Sequence, residues 1–234
     1  VYVHTEPWSS SHKTSSVRAS FRSRVSTPYM KLVDLTMSLD EETPTHPDDP
    51  EVEAEEVTTV EKDGYAVRRL TFPSHVGTHI DAPAHMVEDG KTVDDYGVET
   101  FVGEGVVVDV RGQEIIEVGK DRLADADMVF FHTGHAKRAH NGRSEDYHDG
   151  GPVVSERTAE AVVETGVDAF GIDAPSPDEP PYPVHDMLLG NDVVILENLV
   201  NLGAVGEGQF RCYALPLNVV GGDGAPCRVI AVLN

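Results

Sequence analysis

One eleven-residue segment constrains this chain more than any other feature: His75-Val-Gly-Thr-His79-Ile-Asp81-Ala-Pro83-Ala-His85. Its three histidines and its aspartate all stand at odd positions. Side chains alternate along a strand, so an extended backbone puts His75, Gly77, His79, Asp81, Pro83 and His85 on one face. Val76, Ile80, Ala82 and Ala84 then point into a core. A helix would align His75 with His79 but turn Asp81 about 200° further round, and Pro83 would break its hydrogen-bond ladder. A straight strand does not suffice either. His79 and Asp81 would stand about 6.6 Å apart, whereas His75 would lie about 13 Å from His79. A bend near Gly77, a residue that tolerates unusual backbone angles, brings His75 in.

Imidazole and carboxylate donors converging in this way suit a divalent metal, Zn²⁺ first and Mn²⁺ second. Three protein ligands leave a position open for water, which is the arrangement of a catalytic site. A single histidine on a half-buried strand would be read as a polar side chain facing solvent. Four such groups in phase around Gly77 and Pro83 ask for more. A second, weaker constellation lies downstream. Glu197 follows the apolar run Val193-Val-Ile-Leu196, and His185 sits twelve residues before it, after a Pro-rich stretch from Pro175 to Pro183. A carboxylate inside such a run needs a partner if it is buried, and a cation is one candidate. A strand-end Glu facing solvent is the other reading.

The rest of the chain is read as one α/β domain with a largely β core. Leu32–Leu35, Val52–Val60, Tyr65–Phe72, Phe101–Val110, Met128–Phe131, Val167–Ile172, Val193–Leu196 and Val229–Leu233 carry strand patterns. Asp63-Gly64 reads as a hairpin turn. Ser155–Thr165 reads as a helix, with Ser155 as its cap and Gly166 as its stop. Residues 1–29 hold four basic residues and one acidic one among many Ser and Thr. Residues 30–234 hold 14 basic and 40 acidic ones. That break suggests a disordered tail, or a start assigned too early, ahead of a domain at 30–234.

A formal net charge of −23 argues against nucleic acid and anionic membranes as partners. Six of the 18 basic residues are lysines, and so acidic a surface suits a salty interior. The chain has no apolar run of the roughly 20 residues that span a bilayer and no signal-peptide core at its start. With two cysteines and no disulfide framework, the cytoplasm is the expected location. His132, His135, His140 and His148 are read as surface histidines rather than substrate contacts.

Together these residues resemble the cyclase-type family of metal-dependent hydrolases that includes bacterial kynurenine formamidase and isatin hydrolase. His75 to His85 matches the family's H-x-G-T-H-x-D-x-P-x-H motif position for position. Gly171-Ile-Asp-Ala-Pro-Ser176 resembles its G-I-D-x-P-S stretch, and Asp34-Leu-Thr with Pro47-Asp-Asp-Pro50 its opening. His185 through Glu197-Asn-Leu-Val-Asn-Leu202 is similar to its later ligand pair. Ala214-Leu-Pro-Leu-Asn with Gly221-Gly-Asp-Gly-Ala-Pro226 resembles its C-terminal signature.

The resemblance implies a swivelling β/β/α-type fold in a homodimer or homotetramer. It implies that His75, His79 and Asp81 hold one metal and that Asp81 bridges to a second held by His185 and Glu197. His85 then becomes the catalytic base. The implied reaction is hydrolysis of an amide C–N bond in a small molecule, N-formylkynurenine first. Another amide, lactam or ester, a polyketide-type cyclisation, or metal-stabilised binding without turnover are the alternatives. One departure bears on substrate: relatives commonly carry Trp where this chain has His135, and residues 30–234 contain no Trp.

Overall fold

The apolar runs assemble into a sheet that closes on itself. The structure, a computed structural model, describes residues 30–123, 125–141, 147–206 and 208–233. Its strands are β1 (Lys31–Asp34), β2 (Glu53–Thr58), β3 (Val67–Thr71), β4 (His79–Asp81), β5 (Val102–Asp109), β6 (Ile115–Ile116), β7 (Met128–His132), β8 (Val153–Val154), β9 (Ala169–Ile172), β10 (Val194–Glu197), β11 (Gln209–Pro216) and β12 (Gly224–Leu233). The α-helices are α1 (Val60–Asp63), α2 (Glu156–Val163) and α3 (Pro183–Leu189). The expected largely β core is what forms.

The order β12-β11-β5-β7-β9-β10-β4 returns to β12, giving a seven-stranded ring with β1 added along β12. Strands β5, β7, β9 and β10 run parallel. Every residue of β7, β9 and β10 is buried, as parallel strands covered on both faces require. Met128, Phe130 and Leu196 pack with Ile80, Phe210 and Ala231 on one side. Val129, Phe131, Phe170 and Ile195 pack on the other with Ala159 and Val162 of α2 and Leu188 and Leu189 of α3. Helix α2 starts where expected, Ser155 Oγ accepting the Thr158 N–H at 3.2 Å.

Two sequence expectations need correction. Residues 75–85 are not one strand: only His79–Asp81 pairs, the chain bends at Gly77 (φ +55°), and Pro83–His85 forms a 3-10 turn. The bend is where the spacing demanded one. Val76, Ile80 and Ala82 are buried as expected, but Ala84 only partly, because the turn lifts it off the sheet. Between β2 and β3 the connection is the single turn α1, closed by Gly64 in the left-handed region, rather than a two-residue hairpin. Finally, β11, the first half of β12 and α3 had no expectation at all.

The closure sets the site. Strand β4 is only three residues long, yet it pairs with β10 on one edge and β12 on the other. Its register places His79 opposite Glu197 and Asp81 opposite Gly224. Among the described residues no helix is long and apolar enough to cross a membrane.

Candidate metal centre

Each histidine of the site is held from behind by an oxygen. The Nδ1 of His79 lies 2.8 Å from the Gly77 carbonyl oxygen, so it carries the proton and Nε2 keeps its lone pair. His185 enters on the first turn of α3, where its Nδ1 lies 2.5 Å from Asp178 Oδ1. The other oxygen of Asp178 accepts the Val184 and His185 N–H groups at 2.6 and 3.3 Å, capping α3 from outside the helix. The Nε2 of His75 lies 3.0 Å from Asp223 Oδ2, which turns Nδ1 towards Asp81. Thr78 locks the segment in place: its hydroxyl donates to the Asn198 carbonyl at 2.7 Å and accepts the Met37 N–H at 2.8 Å.

The front faces converge. His75 Nδ1 is 2.6 Å and His79 Nε2 3.2 Å from Asp81 Oδ1. His79 Nε2 is 3.4 Å from Glu197 Oε2, and His185 Nε2 is 3.4 Å from Glu197 Oε1 and 3.9 Å from Asp81 Oδ2. His75, His79 and Asp81 offer ligand atoms within 4.8 Å of one another, as do Asp81, His185 and Glu197, and so does a third, less buried group of His75, His85 and Asp223. Asp81 is common to the first two, which are the buried ones. Glu197 is 6% exposed, which decides against the solvent-facing reading of this residue.

The donor set fits a divalent cation. His79 Nε2, Asp81 Oδ2 and Glu197 Oε1 are buried and have no hydrogen-bond partner among the described residues. Groups left so in a protein interior cost free energy of about 1–3 kcal/mol each, more when charged. The histidines are already tautomerically set, rear N–H on an oxygen, as metal-bound histidines are.

Electrostatics agrees. Burial alone would lower His75, but the Asp81 and Asp223 carboxylates raise it to about 9. Burial is likewise outweighed at His185 by Asp178, Glu197 and Asp81, which raise it to about 10. Burial would raise Asp81, but the charges of His79 and His75 hold it well below the usual carboxylate range. Burial and the neighbouring Asp81 push Glu197 up. The pocket therefore draws positive charge to itself, by protons or by a cation.

His85 stands apart from the two sets that share Asp81. It lies beyond Asp81 on the 3-10 turn with a third of its side chain exposed, its ring 4.0 Å from that of His75 and its Nδ1 3.9 Å from Asp223 Oδ2. Burial and the charges of His75 and His185 lower its pKa, which keeps it neutral at neutral pH. The candidate ligands and His85 open on a cleft of about 590 Å³ whose outer walls include Pro44, His46, Pro47, His148, Tyr182 and Asn198.

Two residues that matter here, Asp178 and Asp223, went unassigned in the sequence. Asp178 is hidden in Pro-Ser-Pro-Asp-Glu-Pro-Pro, and its spacing of seven residues before His185 is the one signal available. Asp223 comes from the far end of the chain, inside the Gly221–Pro226 signature, and the motif alone gave it no role. The reading of the remaining histidines is corrected. His132 and His135 are buried rather than on the surface, 8% and 6% exposed, because each has found a partner inside. His132 faces Asp173, and His135 Nε2 lies 2.8 Å from the Tyr147 carbonyl. His148 is half-buried on the cleft wall, and the side chain of His140 lies outside the described residues, as do residues 1–29.

Known proteins repeat this arrangement of chain. Residues 33–179 match the Cyclase family model, described as "Putative cyclase". The kynurenine formamidase of Salinibacter ruber is 34% identical over 212 residues, which cover 86% of this chain and 97% of that one. The kynurenine formamidase of Bacillus anthracis is 31% identical over 86% of this chain and 96% of its own length. Among solved structures, isatin hydrolase A from Labrenzia aggregata superposes with a TM-score of 0.77 at 26% identity, covering 87% of this chain and 94% of that one. The family model, the relatives in sequence and the likeness in fold agree, and the chain belongs to the cyclase-type family of metal-dependent hydrolases.

Proposed function

We propose that this protein is a metal-dependent hydrolase of a non-peptide amide C–N bond in a small molecule, of the arylformamidase type, with N-formylkynurenine as first substrate. The observation that carries the reading is the convergence of three buried, unpartnered ligand atoms, on His79, Asp81 and Glu197, between histidines whose rear nitrogens are already engaged. His75, His79 and Asp81 would hold one ion, and Asp81, His185 and Glu197 a second. The nitrogen–oxygen donor set suits Zn²⁺ first and Mn²⁺ second. A bound ion supplies a water whose pKa is lowered toward 7 and polarises the substrate carbonyl.

The chain supplies the rest. His85, neutral and open to the cleft, takes the proton of the attacking water as that oxygen adds to the carbonyl carbon. It returns the proton to the amine nitrogen as the C–N bond breaks. Pro44, Pro47 and Tyr182 give the substrate an apolar wall. Isatin-like lactams are the second substrate class, on the strength of the structural likeness to isatin hydrolase A. His85, outside the two buried ligand sets and open to the cleft, favours turnover over metal-stabilised binding. A homodimer or homotetramer in the cytoplasm, with residues 30–234 as the catalytic domain, completes the proposal.

The test is metal content and turnover together, on N-formylkynurenine and isatin. Chelation abolishes activity and lowers the melting temperature. His79→Ala loses metal and activity together, whereas His85→Ala keeps its metal and loses roughly 10²–10⁴ in kcat. Full activity in metal-free protein overturns the reading, and full turnover in His85→Ala overturns the assignment of the base.

A further inference from the structure

Asp223 lies outside both ligand sets that share Asp81, yet it touches two members of the site at once. It sits in the Gly221-Gly-Asp-Gly224 turn that leads into β12. Its own carbonyl accepts the Ala82 N–H at 2.9 Å, clamping the turn to the end of β4. Its Oδ2 is 3.0 Å from His75 Nε2 and 3.9 Å from His85 Nδ1, and the Ser74 hydroxyl also donates to the carboxylate. One carboxylate oxygen therefore stands behind a ligand and beside the base, and the His75 and His85 ring centroids are 4.0 Å apart, with the rings tilted by 38°.

We infer that Asp223 is the positioning residue of this centre, setting the tautomer of His75 and the orientation of His85. Resting on the metallohydrolase reading above, it has two effects. By accepting the Nε2–H of His75 it leaves Nδ1 as the only ligand atom of that ring and raises its basicity. By facing Nδ1 of His85 it keeps a proton on that nitrogen and presents Nε2 to the water, then stabilises the imidazolium formed when His85 has taken a second proton. A separation of 3.9 Å is too long for a hydrogen bond, but such contacts are often long in unliganded sites and tighten once substrate is in place. The carboxylate is half-exposed, so a small movement of the turn's side chain suffices.

The experiment compares wild-type holoenzyme with Asp223→Asn and Asp223→Glu, reading metal dissociation constant, metal per chain at saturation, kcat and KM. Asp223→Asn is nearly isosteric and keeps an acceptor for one ring while losing the charge. It should still fill with metal at saturation, bind it roughly 10–100-fold more weakly, and lose about 10–100-fold in kcat with KM within threefold of wild type. Asp223→Glu should recover part of that kcat, which a purely structural turn residue would not do. Three outcomes overturn the inference: unchanged kcat and metal affinity, a rise in KM alone, or complete loss of metal, which would make Asp223 a ligand. If wild type itself holds no metal, it is the metallohydrolase reading that fails.

Discussion

Gly224 offers the sharpest test of how tightly the site and the sheet closure are joined. A Cβ built at this position would sit 2.5 Å from His75 Cε1, 3.0 Å from His75 Nδ1 and 2.7 Å from the Ile80 carbonyl oxygen. Ordinary contact begins at about 3.4 Å, so the ring would have to retreat by about 0.9 Å and the β4 backbone by about 0.7 Å, or β12 draw back from both. The backbone route loosens the pairing of β12 with β4, the one link that closes the ring. Overpacking of this kind costs about 1–3 kcal/mol. At roughly 2–4 °C per kcal/mol for a chain of this size, Gly224→Ala should lower the melting temperature by about 2–12 °C. The ring route displaces the very nitrogen proposed as a ligand, and a 1 Å misplacement at a reacting centre costs about 10²-fold in rate. The assay is a thermal melt, a metal titration and kcat/KM on the same preparation. Gly151→Ala is the control, because its Cβ would meet His135 only at 3.6 Å, and it should stay within about 0.5 kcal/mol of wild type. Wild-type stability and metal affinity in Gly224→Ala would refute the argument, because they would mean that His75 is not packed against this strand.

Two further predictions rest on other parts of the structure. Asp178→Asn keeps one acceptor where two oxygens now serve His185 and the start of α3. It should cost about 1–3 kcal/mol in a denaturant melt and weaken metal binding roughly 10–100-fold, and an unchanged metal titration would contradict it. Burial pushes the Cys212 thiol up to about 12 and Cys227 further. The native protein should therefore show no rapidly reacting thiol at pH 8 and two after denaturation, and a fast native thiol would show the core to be open.

How much of this was legible in the sequence follows from where each signal resides. Strands β7, β9 and β10 could be read because both of their faces are buried, so their apolar runs are continuous. Strand β11 alternates cleanly, with Phe210, Cys212 and Ala214 inward and Gln209, Arg211 and Tyr213 outward. It still escaped, because Cys and Ala carry so little apolar contrast. Helix α3 has seven residues and begins after Tyr182 in the left-handed region, with no side-chain cap of its own. The cap comes from Asp178, outside the helix, so no local pattern could reveal it.

The site divides along the same line. His75, His79, Asp81 and His85 could be named because chemistry and spacing coincide within one short segment, and even the bend at Gly77 followed from reach. What the segment could not disclose is why carboxylates are tolerable there. Asp81 and Glu197 are 1% and 6% exposed, a placement that costs several kcal/mol per charge unless each is compensated. The compensation is tertiary. It needs β4 pinned between β10 and β12, α3 delivering His185 against Glu197, and the β12 turn delivering Asp223 behind His75. The ring that closes the sheet and the cluster that would hold the metal are therefore one structural feature. A bound ion would join β4, β10 and α3 directly, so the free energy of binding it also stabilises the closed sheet.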